Sequence, residues 1–317
     1  MVQLTGCSTD SGSIDSGSEL NFTSGKGTET NPFHVTNIYQ LQSIDDPDYL
    51  DMHFIQMGDI DASPSADFQN GSGFKHIGDL DSPFTGSYDG NGFVIRDLHL
   101  HIQKVQGTHT GLFGYILNGR IENITIDNSA RLENKQSVQI TAYLESELQT
   151  EQQTEYIMSS NVDLSDARGV GGMVGFNDGG DVLNCLFIGT MGGSSPTAGL
   201  VGINTGLVEN SHFEGLIGTL RPNAGLVGIN TGKIIRSSAK VSIGSPSAAS
   251  GLVDTNYGEI SQSFAHVDLN ANLLVAGLAA RNLGGRIENS YVTGEAFSHF
   301  RAAGLVLTNE GEIINSY

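Results

Sequence analysis

Gly225-Leu-Val-Gly228-Ile-Asn230-Thr-Gly232-Lys-Ile234-Ile-Arg-Ser237 is one copy of a phrase that returns through the second half of the chain. Its opening recurs as Gly111-Leu-Phe-Gly114, Gly172-Met-Val-Gly175, Gly199-Leu-Val-Gly202, Gly251-Leu-Val-Asp254, Gly277-Leu-Ala-Ala280 and Gly304-Leu-Val-Leu307. Successive first glycines are 61, 27, 26, 26, 26 and 27 residues apart. A fixed period of this length marks stacked structural units, each too small to bury a face alone.

Aligning the copies gives columns. Five residues after the first glycine stand Asn177, Asn204, Asn230, Asn256, Asn282 and Asn309. Two further on are Gly179, Gly206, Gly232, Gly258, Gly284 and Gly311, with Gly180 and Gly285 as the extra residues of the 27-residue copies. Asn-x-Gly is turn chemistry, because both residues tolerate positive φ. An aliphatic column follows, Ile121, Val182, Val208, Ile234, Ile260, Ile287 and Ile313, then a small-residue column, Cys185, Ser211, Ser237, Ser263, Ser290 and Ser316. Each copy offers three extended pieces, such as Ala224–Ile229, Lys233–Ala239 and Lys240–Gly244, all too short and too rich in Gly, Ser, Val and Ile to be helices. The expected fold is all-β, a right-handed parallel β-helix of ~26-residue coils with an N-terminal cap. The Asn column reads as a buried amide ladder, and Cys185 as an inert thiol packed between coils.

The phrase, with its trailing Asn-x-Gly-x-Ile-x-Asn-Ser, resembles the GLUG repeat of bacterial surface and secreted proteins. The upstream segments Asn31-Pro-Phe-His-Val35, Leu41-Gln-Ser-Ile44, Gly58-Asp-Ile-Asp61 and Phe84-Thr-Gly-Ser-Tyr-Asp-Gly-Asn-Gly-Phe93 fit the same group. That resemblance implies the β-helix and an exported protein. It does not choose a function, since the repeat occurs in adhesins and in peptidase-associated regions alike. The fourth glycine is lost in the last copies, at Asp254, Ala280 and Leu307.

Three regions are expected: a disordered start and Ser/Gly tether at 1–24, a cap at 25–83, and the β-helix at 84–317. Within the cap, Thr36–Ile44 reads as a short helix with Thr36 as N-cap, and Met52–Gly58 as a strand. Ile95-Arg-Asp-Leu98, 26 residues before Ile121-Glu-Asn-Ile124, places an early coil at Phe84–Ile102. The 61-residue spacing implies an insertion at about 131–168. Within it, Ser137–Leu144 alternates like a strand and Ala142–Met158 reads equally as a polar helix.

The chain of 317 residues carries a net charge of -20, which repels phosphate backbones and excludes nucleic acid as a partner. Residues 1–168 hold 24 acidic and 8 basic side chains, against 11 and 7 in the remainder. Leu4-Thr-Gly-Cys7 resembles a bacterial lipobox, which makes Cys7 the candidate lipid attachment site and a lipid anchor the only expected link to a membrane. The expected location is extracellular or at the cell surface, as an outer-membrane lipoprotein.

Asp97, His99 and His101 alternate and are the weak candidates for a metal. The column of His99 reads on through Thr125, His212, Ser238, Phe264 and Tyr291, which is no ligand set. Aspartates at 45, 46, 48, 59, 61, 79, 81 and 89 leave calcium open as a ligand, without calcium-loop spacing; no other cofactor is implied. His-Glu-x-x-His, Gly-x-Ser-x-Gly and a phosphate loop are all missing from the sequence. The function expected is therefore an adhesin or binding module for glycans or surface proteins, with loops near Pro196, Pro222 and Pro246 and the insertion in contact. A polysaccharide lyase or hydrolase on the same scaffold, and a spacer fragment of a larger surface protein, are the alternatives. A chain ending part-way through a coil, at Ile313–Tyr317, would leave an edge open to self-association.

Overall fold

The computed structural model describes residues 22, 24–100, 109–130, 168–193, 197–219 and 222–317. They form a parallel β-helix. A complete turn visits four sheets, of seven, ten, eight and five strands, and every strand-to-strand pairing within them is parallel. One turn runs Val201–Asn204, Leu207–Glu209, His212–Thr219, Asn223–Ala224. The next runs Val227–Asn230, Lys233–Ile235, Ser238–Ser245, Ala248–Ser250, each strand against its counterpart. Five turns between Val174 and Ala303 carry all four strands.

The three extended pieces of each copy thus become four strands. The unforeseen break is a corner at Arg236, one of a column with left-handed φ: Asn123 (55°), Asn184 (53°), Asn210 (48°), Arg236 (49°), Gln262 (52°), Asn289 (49°) and Asn315 (49°). Asn tolerates that conformation best among the residues with side chains, which explains its dominance there. Between Ala239 and Lys240, where a break was expected, the strand Ser238–Ser245 is continuous and alternates buried and outward residues. In the Asn-x-Gly segments the Asn residues end strands, and the left-handed residues are Gly179 and Gly284. These two are the extra residues of the longer copies. Gly180 and Gly285 hold the stacked column with Gly206, Gly232, Gly258 and Gly311, so the sequence alignment was one residue out there.

The core is a stack of like side chains. Leu200, Leu226, Leu252 and Leu278 sit above one another, as do Val182, Val208, Ile234, Ile260 and Ile287, all fully buried. Burying each such aliphatic side chain contributes about 1.5–3 kcal/mol. The first glycine of the phrase sets the spacing. A Cβ at Gly199, Gly225, Gly251 or Gly277 would collide with the carbonyl oxygen of the corresponding glycine one turn on. The fourth glycine answers to a different neighbour. Side chains at Gly114, Gly175 and Gly202 would strike His76, Thr110 and the Gly169–Val170 backbone respectively, segments that lie against this wall only in the early turns. By Gly228 the nearby atoms are only those of Gly202, and the following turns hold Asp254, Ala280 and Leu307. The glycine is lost where the overlay ends.

Two polar ladders run through the body. Asn177 donates from Nδ2 to Asn204 Oδ1 at 2.8 Å, and the pattern repeats through Asn230, Asn256, Asn282 and Asn309 at 2.7–2.8 Å. Each Nδ2 also reaches a glycine carbonyl, for example Gly206 at 3.1 Å. The second ladder is the serine column. The amide of Ser211 donates to Ser237 Oγ at 3.1 Å, and each hydroxyl donates to the carbonyl two residues back. Within both ladders the buried polar groups pair along the axis, as low-dielectric burial demands, except Asn177 Oδ1 at the head of the amide ladder, which has no partner among the described residues.

Residues 25–83 stack directly onto the β-helix at its N-terminal end. Phe33–Val35 pairs with His53–Gln56, which pairs with Ser87–Asp89 and so enters the ten-stranded sheet. Ile60–Asp61 enters the eight-stranded sheet. The helix is Ile38–Ser43, capped by Asn37, whose side chain accepts from the Gln40 amide. Thr36 stands one place outside and instead donates from N and Oγ1 to Gln40 Oε1. The expected strand is seen as His53–Gln56. Phe22, Phe33, Tyr49 and Phe54 pack at 5.1–5.9 Å around this first turn. The early coil also differs from expectation. Ile121 pairs with Tyr88, and Ile95 with Ile126, so the coil is longer than 26 residues.

Candidate functional site

Ladder residues are scaffold: Asn177, Asn204, Asn230, Asn256 and Asn282 are fully buried and their amides are spent on one another. Cys185 occupies the serine column and donates to Leu183 O at 3.3 Å. Burial pushes its thiol up to about 12, so it stays protonated and unreactive in the folded state. Cys7, the tether as far as residue 21, the insertion at 131–167 and His101 lie outside the described residues; Phe22, at the tether's end, packs on the first turn.

Asp97 adopts left-handed φ (58°) at a corner, and the His99 amide donates to Ser65 Oγ at 2.9 Å. The strand column read through Thr125 begins at Val94, not at His99. Among the described residues no group of three His, Cys, Asp or Glu side chains is placed to hold a metal. Several of the aspartates that left calcium open cap turns or join ion pairs. Asp45 binds Lys75 Nζ at 2.6 Å and the Gly78 amide at 2.9 Å. Asp59 accepts from Val94 N and Arg96; the Val94 amide does most to lower its pKa. Asp79 and Asp89 accept amides two residues on.

A titratable cluster is buried beside the overlay. His109 packs against Tyr115 at 5.8 Å and Phe176 at 5.1 Å, and its Nδ1 accepts from Gly169 N at 3.0 Å. Tyr115 donates to Asp178 Oδ2 at 2.6 Å. Burial first, and the nearby His76 second, bring His109 down to about 4. Burial and the bond to Asp178 push the Tyr115 phenol upward. The unfolded chain protonates His109 near 6.5, whereas the folded chain resists until about 4. Stability is therefore full above pH 6.5 and falls through that window, by up to about 3 kcal/mol. Chemical denaturation of the wild type at pH 7 and pH 4 should show this slope, and His109→Gln should flatten it. An equal slope in the variant would remove His109 as the cause.

Close by, a cavity of about 150 Å³ is lined by Leu98, His99, Thr110, Val170, Phe187 and Met191. It lies where the strand Thr125–Asp127 covers only the first three residues of Leu186–Gly193, leaving the rest of that edge without a partner among the described strands.

Outward chemistry concentrates on the eight-stranded sheet, which has the longest strands. Its outer face presents His212, Glu214 and Leu216, then Ser238, Lys240 and Ser242, then Phe264, His266, Asp268 and Asn270, then Tyr291, Thr293, Glu295 and Phe297 in register. Lys240 is paired with Glu214 at 2.5 Å, and His212 Nδ1 lies 2.8 Å from Ser238 Oγ. Phe264, Tyr291 and Tyr317 stack at 5.0 and 5.7 Å with interplanar angles of 5° and 15°. The connections described at the far end of this sheet are 245–248, 271–274 and 298–301. Pro222 and Pro246 belong to this corner; Pro196 is outside the described residues. Sequence columns hid the prominent side chains of the corner, Leu273, Phe297 and Phe300, because they fall in the variable part of the repeat.

Comparison with known proteins follows the same architecture. Residues 271–296 match the model of the GLUG motif. Halomucin of Haloquadratum walsbyi is 38% identical over 111 residues, 34% of this chain but 1% of that protein. A protein of Evansella cellulosilytica, named as a Gly-rich membrane protein, is 33% identical over 108 residues, covering 33% of this chain and 12% of its own length. This chain therefore spans a small part of either relative. Among solved structures, a Bacteroides ovatus protein titled as an immunoglobulin A1 protease superposes with a TM-score of 0.57 at 17% identity, over 93% of this chain and 86% of its own. A second, titled IgA1 protease, gives 0.50 at 16% over 86% of this chain and 21% of its own. At such identities the likeness is one of fold alone. This chain carries the GLUG motif on a parallel β-helix.

Proposed function

We propose that the chain is a cell-surface binding module, a rigid β-helical wall that holds a glycan or another surface protein on its outside. The observation that carries this reading is the eight-stranded sheet. Its long strands project polar and aromatic side chains outward in a flat, regular array, while the interior is a solid core. Similarity to a Gly-rich membrane protein supports the location, and the net charge of -20 suits a surface that stays soluble and repels polyanions. Attachment through Cys7 belongs to the same proposal.

The test has two arms. On intact cells of the source organism, an added protease should remove the region and a labelled antibody should reach it; full protection would sink the surface location. The purified chain should retain glycans or surface proteins on an array without altering them. Release of new reducing ends from a bound polysaccharide would replace the binding module with a carbohydrate-active enzyme.

A further inference from the structure

A cavity of about 300 Å³ lies beside the helix Ile38–Ser43, lined by Tyr39, Gln42, Ser43, Phe68 and Gln69. Two pieces of chain build it. In the helix, Ile38 and Leu41 face the core, so Tyr39, Gln42 and Ser43, spaced three and four apart, share the outer face. The other wall is a turn. Gln69 and Asn70 both hold left-handed φ (52° and 57°), and the Gly73 amide closes the turn by donating to Phe68 O at 3.0 Å. In a strand Phe68 and Gln69 would point to opposite faces; the left-handed turn lets both line one pocket. Two adjacent residues with side chains in that region are strained, and such strain gathers at ligand sites.

The polar groups of the walls divide into two sets. Gln42 is spent: its Nε2 donates to Lys75 O and its Oε1 accepts from Lys75 N, both at 2.9 Å. Ser43 Oγ donates to Tyr39 O at 2.9 Å. The Tyr39 hydroxyl and the Gln69 carboxamide make no hydrogen bond among the described residues. The rings of Tyr39 and Phe68, 5.5 Å apart and inclined at 42°, supply the apolar walls. Among the described residues no charged side chain lines the cavity. The surrounding segment 25–83 is nonetheless acidic, with ten Asp and Glu side chains against two lysines.

We propose that this pocket seats the acetamido group of a neutral N-acetylhexosamine. A trans amide presents its N–H and its carbonyl on opposite edges, so it needs two separate partners. Its N–H donates to Gln69 Oε1, its carbonyl accepts from the Tyr39 hydroxyl, and its methyl packs on the Tyr39 and Phe68 rings. A plain hexose has no group with one donor, one acceptor and a methyl. Size sets the rest. Ligand pockets run from roughly 300 to 1,000 Å³, so this one takes a single ring. A protein partner would need about 800 Å² of complementary surface. The acidic surroundings repel sialate and uronate. A quaternary ammonium would use the rings and leave both polar groups idle. This inference rests on the binding-module reading and adds to it a seat for one sugar, built from residues outside the long sheet.

Saturation-transfer NMR titrations of the full chain test this. The probes are the methyl glycosides of N-acetylglucosamine, N-acetylgalactosamine and glucose, with N-acetylneuraminate, N-acetylalanine methylamide and choline. At least one acetamido glycoside should bind, its acetyl methyl most strongly saturated, at least tenfold more tightly than any other probe. The variant Y39F/Q69E keeps both rings and the shape of both side chains. It should melt as the wild type does and lose at least tenfold in affinity. Equal affinity in that variant would overturn the pocket, as would a preference for the glucoside or for N-acetylneuraminate. Binding of the methylamide alone would assign the pocket to a peptide, and of choline alone to a cation; either overturns the sugar. If no acetamido glycoside binds while the wild-type chain still retains partners on the array, this site alone falls. An empty array would sink the binding module itself.

Discussion

Gly251→Ala is expected to destabilise the chain by about 3 kcal/mol, through the addition of one methyl group. The new Cβ would sit on top of Gly277 O and press on a Val267 methyl, and neither neighbour is free to move. Gly277 O belongs to a backbone fixed by the stacking of the next turn, where Gly251 N donates to Ala276 O at 3.0 Å. Relief requires pushing two turns apart along the axis, which loosens four sheets together. Gly244→Ala is the matched control. Its Cβ would meet nothing within 4 Å, so the change should stay within about 0.5 kcal/mol. Denaturant melts of the two variants decide the matter. Equal stabilities would show that the phrase does not set the spacing.

Asn230→Ala is expected to cost a similar amount by a different route. The substitution takes the acceptor from Asn204 Nδ2 and the donor from Asn256 Oδ1, both fully buried, and removes the bond to Gly232 O. Leaving buried amide groups without partners costs about 1–3 kcal/mol each. Asn309→Ala, at the exposed end of the ladder, breaks the single bond from Asn282 and should cost about 1 kcal/mol. Equal losses for the two variants in the same melts would show that the buried amide bonds do not set the cost.

What could be read in the sequence was whatever repeats. The period, the aliphatic column, the buried amides and the serine column all follow from residues that meet their own kind one turn on, so identity at a fixed spacing carries the geometry. The corner at Arg236 was illegible because its constraint is on φ, not on side-chain type: Asn, Arg and Gln all satisfy it. Gly179 and Gly180 could not be told apart by composition; only their backbones distinguish the turn residue from the stacked one. The stacking of the first turns carried no column because Phe33–Val35 and His53–Gln56 share pairing, not sequence, with later strands. Phe297 on the outer face escaped for the converse reason. Phe297 stands where earlier turns have Gly192, Gly218, Gly244 and Asn270, so no column announces it.

The corner at the end of the long sheet absorbs connections from the two residues between Ser245 and Ala248 to the 37 between Ala130 and Arg168. The strands on either side keep their register throughout. Length at that point is therefore uncoupled from the lattice of the body. A foreign loop grafted between Ser245 and Ala248 should ride on the wall without disturbing the turns beneath it, and grafts on successive turns would stand about 4.8 Å apart. The molecule is in this sense a display rack with evenly pitched slots.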